Sequence, residues 1–207
     1  DSTLAMMRAA QRKGWEIYHI EQNGLYIQEG EVYTNRQQVR VFDDLECWYE
    51  IVDSQHRPAS DLSAILMRKD PPFDMEYVYS TYLLEMAEQS GTPVLNRPGS
   101  IRDCNEKLFA LQFAQCCPPH VVSRDPVVLR KFHETHGEVI YKPLDGMGGA
   151  SIFHVKPEDS NLSVIIETLT DFGQRQIMAQ KYIPEIRDGD TRILLINGEP
   201  VQFGLSR

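Results

Sequence analysis

The sequence has no apolar run long enough to cross a bilayer, and no charged segment followed by an apolar one that could serve as a leader. We therefore predict a cytoplasmic protein that neither inserts into a membrane nor is secreted. Clusters of Lys and Arg are also missing, and the formal net charge is -9. Because nucleic-acid phosphates are bound mainly by clustered cations, we expect no general nucleic-acid surface, only a local cationic pocket at most.

Cysteine is scarce, and its spacing excludes the common metal motifs. The chain has 4 cysteines among 207 residues, and none stands in a CxxC or similar spacing. We expect reduced thiols at Cys47, Cys104, Cys116 and Cys117, with no metal bound through sulfur. A Ser, His, Asp arrangement for nucleophilic catalysis is also absent, since the 6 histidines are scattered along the chain.

The remaining composition is that of an ordinary globular protein. A hydrophobic content of 42% with 25% charged residues supports one large or two small domains. No internal repeat or low-complexity linker is visible. The order of the local patterns predicts an N-terminal parallel α/β domain over residues 1–103, followed by an α+β domain over residues 104–207.

The first half alternates between strand and helix patterns. The predicted elements are, in order, a helix closed by Gly14, a strand in WEIYHI, a hairpin turning at Glu29-Gly30, strands in QVRVF and SAILM, a helix over Asp74–Gln89 and a strand in TPVLN. This rhythm favours a parallel sheet, in which ligands gather beyond the carboxyl ends of the strands. Arg68 and Asp70 lie at such an end.

The second half carries three further helix patterns and a strand that ends near a proline. The predicted elements are helices over Ser100–Gln115, Asp125–His136 and Asn161–Phe172, a strand over Gln176–Tyr182, and a strand over Thr191–Ile196 that turns at Asn197-Gly198 into a strand over Glu199–Leu205. Pro184 interrupts the strand pattern after Tyr182, so we expect the later backbone groups to lack sheet partners. Such groups in an apolar slot suit an adenine edge.

The segment YKPLDGMGGASIFH, residues 141–154, contains the most informative pattern. Strand patterns at Val139–Tyr141 and Ser151–Val155 flank a glycine-rich loop, and Lys142 follows the first strand. Glycine reaches positive φ, which lets backbone N–H groups surround an anion, and the lysine adds a point charge. The pattern predicts a polyphosphate site, although an ordinary glycine-rich hairpin with a solvated lysine fits this segment equally well.

Other charged residues of the second half could contribute to the same site. Lys107, on a predicted helix, could lean over a phosphate or lie on the surface. Asp190 and Arg192 alternate on one face of a predicted strand, and the hairpin could bring Arg207 close to them. A cross-strand ion pair of little energetic value is the alternative for these three residues.

Both ends of the chain lead us to expect further sequence. The first helix pattern, with Asp1 as part of its capping signal, has no initiator methionine or strand before it. The last hairpin leaves an open sheet edge at Arg207. We therefore expect the chain to be a portion of a longer protein.

Four runs of the sequence together resemble bacterial glutathione synthetases, an ATP-grasp ligase family. The runs are ILMRKDPPFD (Ile65 to Asp74), RDCNEKLF (Arg102 to Phe109), KPLDGMGGASIF (Lys142 to Phe153) and DGDTRILLINGEPV (Asp188 to Val201). They occur in the family's order and span the chain. The resemblance implies a ligase that joins γ-glutamylcysteine to glycine, cleaves ATP to ADP and phosphate, and assembles as a homotetramer.

The resemblance also implies roles for individual residues. Arg192 and Arg207 would act on the transferring phosphate and the acyl group, and Arg68 and Asp70 would bind the peptide substrate. The residues implied in ATP binding are Lys107, Lys142, Asp145, Gly146, Met147, Gly148, Gly149, Gln180, Lys181, Tyr182, Ile183 and Asp190. In this family a later block with Asp, Glu and Asn holds two Mg²⁺ or Mn²⁺ ions. No residue here matches that block, so we expect no metal ligand in this chain and no activity from it alone.

Two alternatives to this ligase remain open. One is another ATP-grasp ligase that joins a carboxylate to an amine, for example on a peptide or a protein end. The other is a catalytically silent nucleotide-binding module. The segment RKDPPFD belongs to the peptide-substrate side of the resemblance and favours the glutathione ligase over the first alternative.

Overall fold

The computed structural model describes residues 2–44, 46–146 and 148–206. The chain forms two compact units. The first runs to Glu106 and includes the loop residue Asp145, and the second comprises Lys107–Leu144 and resumes at Gly148. None of the helices in the described ranges is long and apolar enough to cross a membrane.

An N-terminal helix is followed in the chain by the strands of an antiparallel sheet, which forms most of the first unit. The elements are α1 (Ser2–Arg12), β1 (Ile17–His19), β2 (Leu25–Gln28), β3 (Glu31–Val41) and β4 (Tyr49–Pro58). Strand β3 pairs antiparallel with each of the other three strands. The predicted hairpin is confirmed: Glu29 and Gly30 have φ of 52° and 86°, as a two-residue type I′ turn requires.

The parallel arrangement expected of this half is confined to a β–α–β unit. It consists of β5 (Ile65–Leu66), α2 (Met75–Gln89) and β6 (Val94–Leu95), and β5 pairs parallel with β6. Asp74 caps α2 by accepting a hydrogen bond from the Tyr77 N–H at 2.9 Å. The core of the unit combines residues of both parts: Val32, Ala59, Ile65, Leu84, Ala87 and Val94.

The single helix predicted over Ser100–Gln115 is wrong. The structure has α3 (Pro98–Asp103), α4 (Glu106–Ala110) and a 3-10 segment at Leu111–Cys116. Helix α3 is fixed by Arg102, which donates hydrogen bonds to Glu85 at 3.0 Å and to Thr81 at 3.2 Å and lies over the Tyr82 ring. These tertiary contacts outweigh the local helix pattern, and Cys104 leaves the helical conformation with φ -100° and ψ 70°.

Four antiparallel strands and two helices build the core of the second unit. They are β7 (His120–Ser123), α5 (Pro126–His136), β8 (Val139–Pro143), β9 (Phe153–Val155), α6 (Leu162–Leu169) and β10 (Ile177–Lys181). The strand order is β7-β10-β8-β9. Both helices pack on one face of the sheet, around the buried residues Leu129, Val139, Tyr141, Val155, Ile166, Leu169, Ile177 and Ala179.

The ends of these helices follow local chemistry. Asp125 accepts a hydrogen bond from the Val127 N–H at 2.8 Å, and Gly137 follows α5 with φ 74°. Helix α6 is shorter than the predicted Asn161–Phe172. It stops at Leu169 because Asp171 and Phe172 adopt left-handed φ of 48° and 51°.

The final segment forms two small ladders instead of one long hairpin. Strands β11 (Thr191–Arg192) and β14 (Leu205–Ser206) pair with each other, and β12 (Leu195–Ile196) pairs with β13 (Glu199–Pro200). The turn at Asn197 and Gly198 is confirmed by φ of 53° and 83°. The continuous strands predicted over Thr191–Ile196 and Glu199–Leu205 are wrong, because each pattern covers two separate strands.

Tyr141 gives the second unit a testable pH response. Its side chain is fully buried and donates a hydrogen bond to the Leu129 carbonyl at 3.3 Å. Burial raises the pKa of Tyr141 from 10.0 to about 12. The contribution of the neutral, buried phenol to the stability of the fold is therefore fully present below pH 10, and it is lost as the pH rises towards 12.

We expect the free energy of unfolding to fall more steeply above pH 10 in the unsubstituted protein than in Tyr141→Phe. By pH 11 the loss of free energy of unfolding should be larger in the unsubstituted protein by roughly 1 kcal/mol. Urea unfolding at a series of pH values measures it. Identical pH profiles for the two proteins would contradict the raised pKa.

Candidate functional site

The register between β8 and β10 divides the side chains of the second unit's sheet into two sets. Tyr141 pairs with Ala179, whereas Lys142 pairs with Met178 and Ile140 pairs with Gln180. Directly paired residues of antiparallel strands point to the same face of the sheet. Tyr141 and Ala179 belong to the core beneath α5 and α6. Lys142, Met178, Ile140 and Gln180 therefore share the opposite face.

This second face, which we call the 142/180 face, brings together residues that the sequence indicated separately. Lys142 lies on it near the end of β8, and Gln180 lies near the end of β10. Met178, only 1% exposed, provides an apolar floor between them. A lysine, an apolar side chain and an amide side chain on one face can together bind a ligand that has an anionic tail and a planar ring.

Lys107 reaches the strand end that Lys142 occupies. It lies on α4, and its Nζ donates a hydrogen bond to the Leu144 carbonyl at 3.3 Å, two residues beyond Lys142. Both lysines are half-buried. The structure thus places Lys107 Nζ beside the end of β8 that contains Lys142, and the phosphate role of both lysines stays a prediction.

The loop after β8 has the backbone conformation expected from its glycines. Gly146, Gly148 and Gly149 have φ of 103°, 70° and 79°, values that residues with a side chain rarely adopt. Asp145 and all three glycines are exposed. Met147, also assigned to this loop by resemblance, lies outside the described residues.

The expectation that the later backbone groups of the strand before Pro184 lack sheet partners is wrong for two of these groups. The Lys181 N–H donates to the Pro119 carbonyl, and the Tyr182 N–H donates to the Glu138 carbonyl, each at 2.9 Å. The backbone just before β7 and just before β8 thus continues the pairing with the β10 chain. Proline has no N–H, so Pro119 cannot return a hydrogen bond to the Lys181 carbonyl. The resemblance assigns adenine binding to Gln180, Lys181, Tyr182 and Ile183, here called the hinge, and a role of the Lys181 carbonyl and the Ile183 N–H in it stays a prediction.

Three further site candidates lie in the last segment. Arg192 lies in β11 and is exposed, and Asp190 lies just before that strand and is also exposed. Arg207 lies outside the described residues. The role that the resemblance implies for each of them stays a prediction.

Arg68 and Asp70 follow β5 in the first unit, beyond its carboxyl end. Arg68 is directed to the start of α1, where its Nε donates to the Thr3 hydroxyl at 3.1 Å and its Nη2 donates to the Ser2 hydroxyl at 3.2 Å. Burial, with a smaller effect of the Asp70 carboxylate, raises the pKa of Tyr77. Asp70 therefore lies near a neutral phenol at the start of α2, and both charged residues remain exposed.

Two residues near the hinge were missed by the sequence analysis. His154 on β9 stacks on the Tyr182 ring, with ring centroids 3.9 Å apart, and its Nε2 donates to a Glu138 carboxylate oxygen at 2.8 Å. Only the alternation of β9 could have placed His154 on the 142/180 face. Nothing in the local sequence predicts the contact with Tyr182, which lies two strands away.

Within residues 2–44, 46–146 and 148–206, no three His, Cys, Asp or Glu side chains come together in a way that could hold a metal ion. All four cysteines are free thiols: Cys47, Cys104 and Cys116 are exposed, and Cys117 is half-buried.

The fold defined by these units is that of the ATP-grasp class. A solved complex of the ATP-grasp ligase PsnB with a phosphomimetic variant of its minimal precursor, Mg and ADP superimposes with a TM-score of 0.57 at 20% identity, covering 100% of this chain and 69% of that chain. D-cycloserine synthetase DcsG gives a TM-score of 0.54 at 18% identity, covering 69% and 51%. Identities this low support the fold alone.

The family follows from the sequence comparisons. The profile described as "Prokaryotic glutathione synthetase, N-terminal domain" matches residues 1–102, and "Prokaryotic glutathione synthetase, ATP-grasp domain" matches residues 106–207. The proteins named glutathione synthetase in Pseudomonas aeruginosa and Vibrio vulnificus are 56% and 51% identical over all 207 residues. The chain belongs to the prokaryotic glutathione synthetase family, and it spans 65% of the length of these two relatives.

Proposed function

We propose that the full-length protein joins γ-glutamylcysteine to glycine with cleavage of ATP, and so forms glutathione, ADP and phosphate. The observation that carries the proposal is the 56% identity with the Pseudomonas aeruginosa glutathione synthetase over 100% of this chain. Identity at this level covers the peptide-substrate side as well as the nucleotide side. In the proposal, residues 1–103 supply the former and residues 104–207 the latter.

ATP binding is proposed for the 142/180 face and its surroundings. Lys107 and Lys142 would bind the phosphates, supported by the hydrogen bond that brings Lys107 Nζ to the end of β8 that contains Lys142. The loop Asp145–Gly149 would cover the phosphates with its backbone N–H groups. The hinge residues Gln180, Lys181, Tyr182 and Ile183 would bind the adenine edge, and Asp190 would face the ribose or the lysine beside it.

The reaction needs activation of a carboxylate, which is a poor electrophile. The γ-phosphoryl group of ATP is transferred to the cysteinyl carboxylate of γ-glutamylcysteine, which yields an acyl phosphate and ADP. The glycine amine then attacks the acyl carbon, phosphate leaves, and the amine loses a proton. Preorganised donors such as Arg192 and Arg207 would stabilise the oxygen charge of each step, and one such donor is typically worth about 3 kcal/mol.

The remaining parts of the proposal concern substrate, metal and assembly. Arg68 and Asp70 would lie at the entrance of the peptide-substrate site. Mg²⁺ or Mn²⁺ would accompany ATP, because divalent cations with oxygen ligands neutralise triphosphate charge. A cytoplasmic homotetramer completes the proposal.

A substrate assay tests the proposed function. The full-length protein is incubated with γ-glutamylcysteine, glycine, ATP and Mg²⁺, and glutathione is measured by mass spectrometry together with phosphate release. We expect one phosphate for each glutathione formed. Phosphate release only with another carboxylate and amine would favour a different ATP-grasp ligase, and nucleotide binding without turnover would favour a silent module.

A further inference from the structure

A side chain that the proposed reaction does not use is packed against the hinge. The Tyr182 ring stacks on the His154 ring at 3.9 Å between centroids, with an angle of 21° between the ring planes. His154 lies on β9, whereas Tyr182 follows β10, and β8 runs between these two strands. The stack therefore connects the hinge to the edge strand across the 142/180 face.

Glu138 holds both members of this stack. Its carbonyl accepts a hydrogen bond from the Tyr182 N–H at 2.9 Å, and its carboxylate lies 2.8 Å from the His154 Nε2. A carboxylate accepts hydrogen bonds, so the His154 Nε2 carries the proton and donates it. Glu138 itself is fixed at the point where Gly137 ends α5 and β8 begins. The three residues form one connected unit.

The unit restrains the two hinge groups suited to adenine. Tyr182 stands between the Lys181 carbonyl and the Ile183 N–H, and both its backbone N–H and its ring are held. A fixed peptide at Tyr182 limits the directions in which its two neighbours can present their groups. Preorganised hydrogen-bonding groups bind more tightly, because less freedom is lost when the ligand arrives.

We propose that Glu138 and His154 are positioning residues that set the affinity of the hinge for the adenine ring of ATP by holding Tyr182. This inference rests on the proposed function, since it assumes that the hinge binds adenine. It adds two residues to which the proposed function assigns no contact with the phosphates or the reacting carboxylate. Their loss should affect nucleotide binding and leave the chemical step unchanged.

Substitutions at His154 separate the stack from a general effect on folding. In full-length His154→Ala, KM for ATP and Kd for ADP should both rise about fivefold, the ratio that corresponds to about 1 kcal/mol. The kcat and the KM for glycine should stay within about twofold, because no group of the reaction is removed. His154→Arg should restore both nucleotide constants, since a planar guanidinium can donate to Glu138 and stack on Tyr182.

His136→Ala is the matched control. His136 packs on the Phe132 ring at 4.3 Å within α5, so its removal deletes a comparable ring contact of the same unit without touching the hinge. It should leave KM for ATP and Kd for ADP unchanged. A rise of the same size in His136→Ala, or unchanged constants in His154→Ala, would overturn the inference while the proposed function stands. Failure of the unsubstituted protein to bind ATP would overturn both.

Discussion

Replacing Lys142 by alanine in the full-length protein is expected to weaken ATP binding about 30-fold, or about 2 kcal/mol. The substitution removes a charge-assisted donor on the 142/180 face, and such hydrogen bonds to phosphate are stronger than those between neutral groups. Lys142 lies in β8 directly opposite the buried Met178, so the strand fixes the position of its backbone. Isothermal titration with a nonhydrolysable ATP analogue measures the effect.

Lys131→Ala provides the control for this prediction. Lys131 is an exposed residue of α5, on the helix that covers the opposite face of the sheet. Its removal lowers the net charge equally and should leave the affinity for the analogue within about twofold. Equal affinities of the two variants, or no loss in Lys142→Ala, would remove Lys142 from the phosphate site.

The largest expected effect on stability comes from Leu129→Ala. Leu129 is 0% exposed and belongs to the cluster between α5 and the sheet that contains Val139 and Tyr141. Truncation of a fully buried leucine costs about 3 kcal/mol, because it loses transfer free energy and leaves a cavity. The same cluster supports the strand that carries Lys142, so the loss should also lower the melting temperature of the second unit.

Val127→Ala tests whether burial causes this effect. Val127 lies on the same helix but is 71% exposed. We expect its free energy of unfolding to stay within about 0.5 kcal/mol of the unsubstituted protein. Urea unfolding of both variants makes the comparison, and a similar loss in both would contradict burial as the cause of the Leu129→Ala effect, since alanine has the higher helix propensity at either position.

Local chemistry made several elements predictable from the sequence. Asp74 and Asp125 cap α2 and α5, and the two-residue turns at Glu29 and Asn197 adopt the positive φ that hairpins require. Each of these features depends on residues a few positions apart. The glycine-rich loop was predictable for the same reason, because its φ values follow from the residue type.

Tertiary interactions decided the elements that the sequence did not predict. Strand β4 (Tyr49–Pro58) is mostly exposed and polar, so it has no alternating pattern, and its pairing with β3 alone makes it a strand. The helix pattern over Ser100–Gln115 is broken where Arg102 contacts α2. In both cases the partner lies outside any local window.

The candidate site also combines features that are local in the sequence with features that depend on the tertiary fold. Lys107, Lys142 and the hinge were found as separate motifs, but their common location depends on the register of β8 and β10. A shift of one residue would move Lys142 and Gln180 to opposite faces, and both strands begin with three consecutive apolar residues, which do not distinguish the two registers. The contact of His154 with Tyr182 also depends on tertiary structure, because only the folded sheet brings these rings together.

The position of the triphosphate is the most direct test of the site. A crystal structure of the full-length protein with a nonhydrolysable ATP analogue would give the distances from the phosphate oxygens to Lys107 Nζ and Lys142 Nζ. We predict both distances to be about 3 Å, with the adenine edge at the Lys181 carbonyl and the Ile183 N–H. A nucleotide bound elsewhere, with both ammonium groups directed away from its phosphates, would contradict the assignment of the 142/180 face.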